Sequence, residues 1–280
     1  MVLESIFNPF VVKKKPWEMF FAGFLYSIVG MLLAYLVFKE ATGLLMVFFI
    51  VISALPLVYT AIKNEEELDI KSNKEWLLLK EHSKVLTFLL FLFLGVTLAL
   101  VLAYVFLPQE TAHTVFNLQE KAIKGVNSNV QGDVVKGDIL TRIFINNLKV
   151  LFFCLLFSFL YGTGAIFILT WNASVVAVAI GNLIKLELSK TATLVGFNTL
   201  SSYFGVTTFG FFRYMTHGIL EMAAYFLAGI AGSIISIAMI KHNLDNDNIM
   251  TDTLDLIVIS LGILFVAGIV EVYITPIFFA

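Results

Sequence analysis

Four ionisable side chains in the C-terminal third of the sequence lie inside apolar segments: Arg213, His217, Glu221 and Glu271. Arg213, His217 and Glu221 are spaced by four residues, so on a helix they share one face. Glu271 lies near the end of the last apolar segment. Because consecutive spanning helices run antiparallel, the end of that segment meets the start of the helix that carries the other three. The spacing therefore predicts one polar cluster on one side of a membrane.

This cluster is open to three interpretations. Ion pairs among its members would fix the register of packed helices, because an ionised carboxylate at that depth costs about 2.5–3.5 kcal/mol without a partner. A transporter or channel would use the same side chains to handle protons or a substrate. A metal or hydrolytic site would take His217, Glu221 and Glu271 as ligands, but the sequence has no His-Glu-x-x-His motif and no nucleophile elbow. We expect no enzyme activity, no metal and no cofactor.

The composition indicates which elements position this cluster. Of the 280 residues, 59% are hydrophobic and only 14% are charged, whereas a soluble domain averages about 25% charged residues. A soluble protein of this size cannot hide so much apolar surface. A net charge of −2 gives no basic field for nucleic acid. The composition therefore excludes an ordinary cytosolic, secreted or nucleic-acid-binding protein and predicts an all-α, polytopic integral membrane protein.

Six segments have the length of about 20 apolar residues that a spanning helix needs: 17–38, 44–62, 85–107, 148–170, 211–240 and 254–276. A seventh apolar run, 173–184, has only about 12 residues, which is too short to span comfortably. It is bracketed by Asn172 and Asn182 and contains Gly181. The length predicts a short re-entrant or half helix, and the bracketing residues either cap it or form part of a binding element.

We expect a single membrane domain over residues 1–280. Its predicted parts are an N-terminal helical hairpin (1–62), a cytoplasmic interfacial linker (63–84), a third span (85–107), an exterior segment (108–147) and a C-terminal helical core with the re-entrant element (148–280). With the Lys13–Lys15 cluster inside, 11 Lys and Arg residues lie inside and 7 outside, whereas a spanning 173–184 would leave 9 on each side. The positive-inside rule therefore favours six spans in the cell membrane with both termini cytoplasmic.

One helix face carries a small residue at every fourth position: Ala224, Ala228, Gly232 and Ser236. Small side chains let two helix backbones approach closely in lipid. The pattern predicts either tight packing within the chain or the seam of a homodimer.

Several polar motifs follow one another across residues 140–276. They are Asn146-Asn147 (expected to cap a helix), Gly162-Thr163-Gly164, Asn172-Ala173, His217-Gly218-x-x-Glu221 and Glu271-x-x-x-Thr275-Pro276. In this order they resemble the stage II sporulation protein M family, particularly its archaeal members. In sporulating bacteria, the family member assembles with cell-wall-degrading partners during engulfment and is thought to be a scaffold.

The resemblance implies a multi-pass, non-enzymatic scaffold. We expect its partners to be the lipid bilayer and other membrane or envelope proteins, with a homodimer as a further expectation and no nucleic acid. The alternative is a transporter or channel that uses the intramembrane cluster of Arg, His and Glu side chains.

Overall fold

The computed structural model describes residues 15–71, 75–127, 136–161, 164–195, 200–242 and 247–278. In these ranges the chain forms α1 (Glu18–Val37), a 3-10 turn (Lys39–Ala41), α2 (Thr42–Lys71), α3 (Glu75–Phe106), α4 (Gln109–Asn127), α5 (Lys136–Tyr161), α6 (Ala165–Val195), α7 (Leu200–Ile240) and α8 (Asp247–Ile269). The chain then continues from α8 through a π-helical turn (Val270–Ile274) into a last α-helical turn (Thr275–Phe278).

Seven helices in the described ranges are long and apolar enough to cross a membrane: α1, α2, α3, α5, α6, α7, and α8 with its extension. The remaining helix, α4, follows α3 directly and is polar along one face. The chain is therefore an all-α, polytopic membrane protein, as its composition predicts.

The structure corrects the prediction of a re-entrant element at 173–184. These residues form the middle of α6, one continuous helix whose candidate span is Ala165–Lys190. Asn172 and Asn182 lie within the helix and cap neither end. The expectation that both termini are cytoplasmic stays a prediction.

Two predicted segments between spans are largely continuations of long helices. In the 63–84 linker, α2 extends to Lys71 and α3 begins at Glu75, so the described residues of the linker belong to these two helices. The side chains on which its interfacial placement depends lie outside the described residues. The predicted exterior segment ends earlier than expected, because α5 begins at Lys136 and its candidate span is Gly137–Leu160.

The amphipathic helix α4 is fixed against two spanning helices by a buried glutamine. Gln119 is fully buried, and its Nε2 donates to the Gly43 carbonyl oxygen at 3.0 Å and to Ser174 Oγ at 3.1 Å. Gly43 lies at the start of α2 and Ser174 lies within α6. The hydrogen bonds thus hold α4 at the end of the helix bundle, beside α2 and α6.

Candidate functional site

Glu221 and Glu271 form an acid pair where α7 meets the π-helical turn. Their carboxyl groups lie close enough to interact electrostatically, and Asn147 on α5 donates from Nδ2 to Glu221 Oε1. Glu271 lies in the π-helical turn, a rare geometry that often occurs at functional sites. Three helices therefore meet at this pair.

The acid pair lies within the membrane-spanning region. Asn147 and Glu221 are both near the midpoints of their candidate spans, Gly137–Leu160 and Tyr203–Ile240, and Glu271 lies seven residues before the end of its candidate span, Asn248–Phe278. Polar residues at such depth almost always face protein or a wet cavity, and they pair with one another. The contacts of Glu221 with Asn147 and Glu271 follow that rule.

Two carboxyl groups this close to each other favour the binding of one proton. Like charges at a shared site oppose the ionisation of both groups, and two ionised carboxylates cannot hydrogen-bond each other. A proton on either group would supply a donor and leave the pair with a charge of about −1. The arrangement can therefore bind a single proton between two helices.

His217 and Thr275 meet one helical turn away from the acid pair. Thr275 Oγ1 is 3.3 Å from His217 Nδ1. Because α7 runs antiparallel to α8 and its extension, His217 faces Thr275 in the same way as Glu221 faces Glu271. Arg213, a further turn along α7, forms no ion pair with either glutamate in the described part of the chain. The structure thus brings together His217, Glu221 and Glu271, and Arg213 lies outside this cluster.

The acid pair opens onto one side of the protein. Glu221, Glu271 and His217 are only half-buried, and residues 203–221 of α7 are mostly half-buried or exposed. At Gly218, an added Cβ would meet only the Met215 Cε atom, at 3.8 Å. We call this surface, formed by residues 203–221 of α7 and the π-helical turn, the open face.

The small residues at every fourth position lie farther along α7, and other helices of the same chain pack against them. Ala224 and Ala228 are fully buried, and Ser236 is nearly so. An added Cβ at Gly232 would lie 2.5 Å from the Leu155 carbonyl oxygen of α5. These small residues therefore support packing of α7 within the chain. A homodimer stays a prediction, and it would use another surface.

Two other predicted site residues, Gly181 and Asn182, lie at a second group of polar side chains, at the contact of α3, α4 and α6. An added Cβ at Gly181 would meet the Tyr104 ring at 2.5 Å, and Tyr104 Oη is 2.8 Å from both Asn182 Oδ1 and Glu120 Oε1. Asn172 lies ten residues before Asn182 on α6, outside this set. These residues are separate from the acid pair.

Sequence reasoning missed the role of Asn147. It was expected to cap a helix, but α5 begins eleven residues earlier, at Lys136, and Asn147 serves as a hydrogen-bond donor to Glu221. A usable pattern was present, because the apolar residues Leu140, Phe144, Leu148 and Leu151 keep a helical spacing through this region.

The described residues contain no group of three His, Cys, Asp or Glu side chains placed to hold a metal ion. Two small pockets in the described part lie among apolar residues of α3, α6 and α7, and neither is lined by Glu221 or Glu271. The carboxyl groups of the acid pair can hydrogen-bond and bind a proton.

Comparison with known proteins agrees with the motifs. No curated protein and no solved structure matches the chain. The model of the family described as stage II sporulation protein M matches residues 85–276, which include α4 to α7 and both members of the acid pair. Because that match covers more than half of the 280 residues, the chain belongs to the stage II sporulation protein M family.

Proposed function

We propose that this protein is a non-enzymatic membrane scaffold, and that it binds another membrane protein through the open face. The observation that carries the proposal is the half-buried acid pair, whose member Glu221 lies near the midpoint of its candidate span. A pair with a charge of about −1 is costly when it faces hydrocarbon. A partner helix with a hydrogen-bond donor or a cationic side chain at the same depth would remove that cost.

The open face also has the shape that helix association requires. Helices in lipid associate where small residues let backbones approach and where polar side chains bond across the contact. Gly218 supplies open space one turn from the acid pair, and Glu221, Glu271 and His217 supply the polar groups.

A transporter or channel is the second candidate function, and the carboxyl pair favours it. A pair that can bind one proton within the membrane-spanning region is a group that proton-coupled transport can use. This function needs a water path to Glu221, whereas the scaffold needs only a partner helix.

Photocrosslinking in native membranes tests the scaffold. A photoreactive residue replaces Ile219, which is 37% exposed on the open face, and in a control protein replaces Phe48, which is 46% exposed on α2. We expect one discrete protein adduct from position 219 and none of that mass from position 48.

The double substitution Glu221→Gln/Glu271→Gln keeps the shape of the pair and removes its charge. We expect it to abolish most of the adduct from position 219, because the partner's donor loses its anionic acceptor. An adduct of unchanged yield in the double variant, or lipid adducts alone, would contradict the scaffold proposal.

Proteoliposomes with an internal pH-sensitive dye test the alternative. If the protein is a scaffold, proton flux is the same with the wild-type chain, the double variant and empty liposomes. Flux that needs both carboxyl groups would favour the transporter, and crosslinking to a partner would then be incidental.

A further inference from the structure

A second site lies where α3, α4 and α6 meet, away from the acid pair. It is a pocket of about 430 Å³, which is within the usual range of roughly 300–1,000 Å³ for small-ligand sites. The polar side chains that line it are those of Tyr104, Gln109, His113, Glu120, Asn182 and Lys185. Neither the family motifs nor the proposed scaffold function uses this pocket.

The acidic side chain in the pocket is already engaged. Glu120 Oε1 lies 2.8 Å from Tyr104 Oη, and Glu120 Oε2 lies 2.8 Å from His113 Nδ1. The Tyr104 hydroxyl has a single proton to donate. If it donates to Glu120, its contact with Asn182 is best satisfied when the amide NH₂ of Asn182 faces Tyr104.

Lys185, the basic side chain in the pocket, contacts an aromatic ring. Lys185 Nζ lies 4.3 Å from the centroid of the Tyr104 ring. No carboxylate in the described residues comes within ion-pair distance of this ammonium group. Lys185 and the amides of Gln109 and Asn182 can therefore donate to a ligand, so the pocket is suited to an anionic group with several oxygen atoms.

The pocket lies at the depth of the membrane interface. The α3 span ends at Phe106, two residues after Tyr104, and the α6 span ends at Lys190, five residues after Lys185. Phosphate groups of lipids occupy that depth, and basic residues near span ends interact with them. Phe106 is 66% exposed beside the pocket, in a position to contact acyl chains.

We propose that this pocket binds a phosphate-bearing ligand, namely the headgroup of a membrane phospholipid, with phosphate oxygens bonded to Lys185 Nζ. The phosphate is held by Lys185 and by the amides of the pocket wall. Glu120 lies in the same pocket, where its two oxygens contact Tyr104 and His113 and the carboxylate interacts with Lys185 electrostatically. The acyl chains run along the end of α3.

Native mass spectrometry of the delipidated full chain in detergent tests this site. The probes are phosphatidylglycerol, a diacylglycerol of the same chain length without phosphate, and soluble glycerol phosphate. We expect phosphatidylglycerol to remain bound and diacylglycerol not to bind. We expect Lys185→Gln to lower the affinity for phosphatidylglycerol by tenfold or more, the size of a lost hydrogen bond to a charged group.

Two variants control this experiment. Lys190→Gln makes the same charge change five residues along α6, where Lys190 Nζ pairs with Glu187 Oε1 at 2.6 Å outside the pocket, and we expect it to bind lipid like the wild type. Lys185→Arg keeps the charge and should retain most of the affinity, which separates loss of charge from loss of folding.

The possible outcomes are distinct. Equal binding of phosphatidylglycerol and diacylglycerol, or unchanged binding in Lys185→Gln, would overturn the phosphate site. Glycerol phosphate that binds as tightly as the lipid would overturn the lipid as ligand and show that the pocket takes soluble phosphate esters. The double variant of the acid pair should leave lipid binding unchanged, so this test fails or succeeds independently of the scaffold.

Discussion

The two halves of α7 differ in burial, although they form one uninterrupted helix. From Met222 to Ile234 every residue is buried, and the small side chains of this half pack against α5. From Tyr203 to Glu221 only Gly210 and Met215 are buried. The buried half holds the fold together through close backbone contact. The half from Tyr203 to Glu221 carries Glu221 of the acid pair and the open space at Gly218. A binding surface needs both features.

The largest expected effect is on the buried half. Gly232→Leu places a side chain where even a Cβ atom would lie 2.5 Å from the Leu155 carbonyl oxygen. Because that neighbour is backbone and cannot move aside, we expect a loss of about 3 kcal/mol or more in the free energy of unfolding. A thermal melt in mild detergent should show a clearly lower Tm or no folded protein.

The matched control is Gly218→Leu, the same substitution on the same helix. Its new side chain enters space where a Cβ has one neighbour, Met215 Cε at 3.8 Å. We expect its Tm to stay close to that of the wild type. Equal losses at the two glycines would show that the two halves of α7 are packed alike.

The sequence predicts much of this arrangement, and the gaps have a physical cause. Antiparallel register alone predicts that Glu271 faces the helix of Glu221. The number of spans was underestimated because polar residues shorten an apolar run, whether or not they have partners in the fold. Asn182 contacts Tyr104, which lies 78 residues away in the sequence. Asn147 hydrogen-bonds Glu221, which lies 74 residues away. Contacts at such separation are not visible in local composition.

A smaller effect is expected where the open half is tied to α5. Asn147→Leu removes the donor to Glu221 Oε1 and leaves the acid pair with one hydrogen bond fewer. Hydrogen bonds between membrane helices average about 0.6 kcal/mol and reach about 1.7 kcal/mol, so we expect a destabilisation in that range in a reversible unfolding assay.

Asn146→Leu is the control for this loss. Asn146 precedes Asn147 on α5, but its side chain is exposed, so we expect no destabilisation. If both variants lose the same stability, the effect comes from the loss of an asparagine in α5 and not from the bond to Glu221.

An opposite and still smaller effect is expected at Gly218→Ala. An alanine stabilises a helix interior by roughly 0.5–1 kcal/mol relative to glycine, and the open space at Gly218 accepts a Cβ without a clash. The Tm should rise slightly. If the open face binds a partner helix, the crosslinked adduct from position 219 should decrease in the same variant, because the added methyl group occupies the closest approach. A decrease in Tm would mean that the space is already filled.

The smallest effect on stability is expected from the single substitution Glu221→Gln, because the glutamine resembles a protonated glutamate. Its Oε1 can still accept from Asn147 Nδ2, and its Nε2 can donate to an ionised Glu271. The pair keeps a charge of about −1, so both the stability and the adduct from position 219 should stay near the wild-type values, within about 0.5 kcal/mol for stability. Only the double variant removes the charge. A single variant as defective as the double would show that the two carboxyl groups do not share a proton, and the polar group in the open half of α7 would then depend on Glu221 alone.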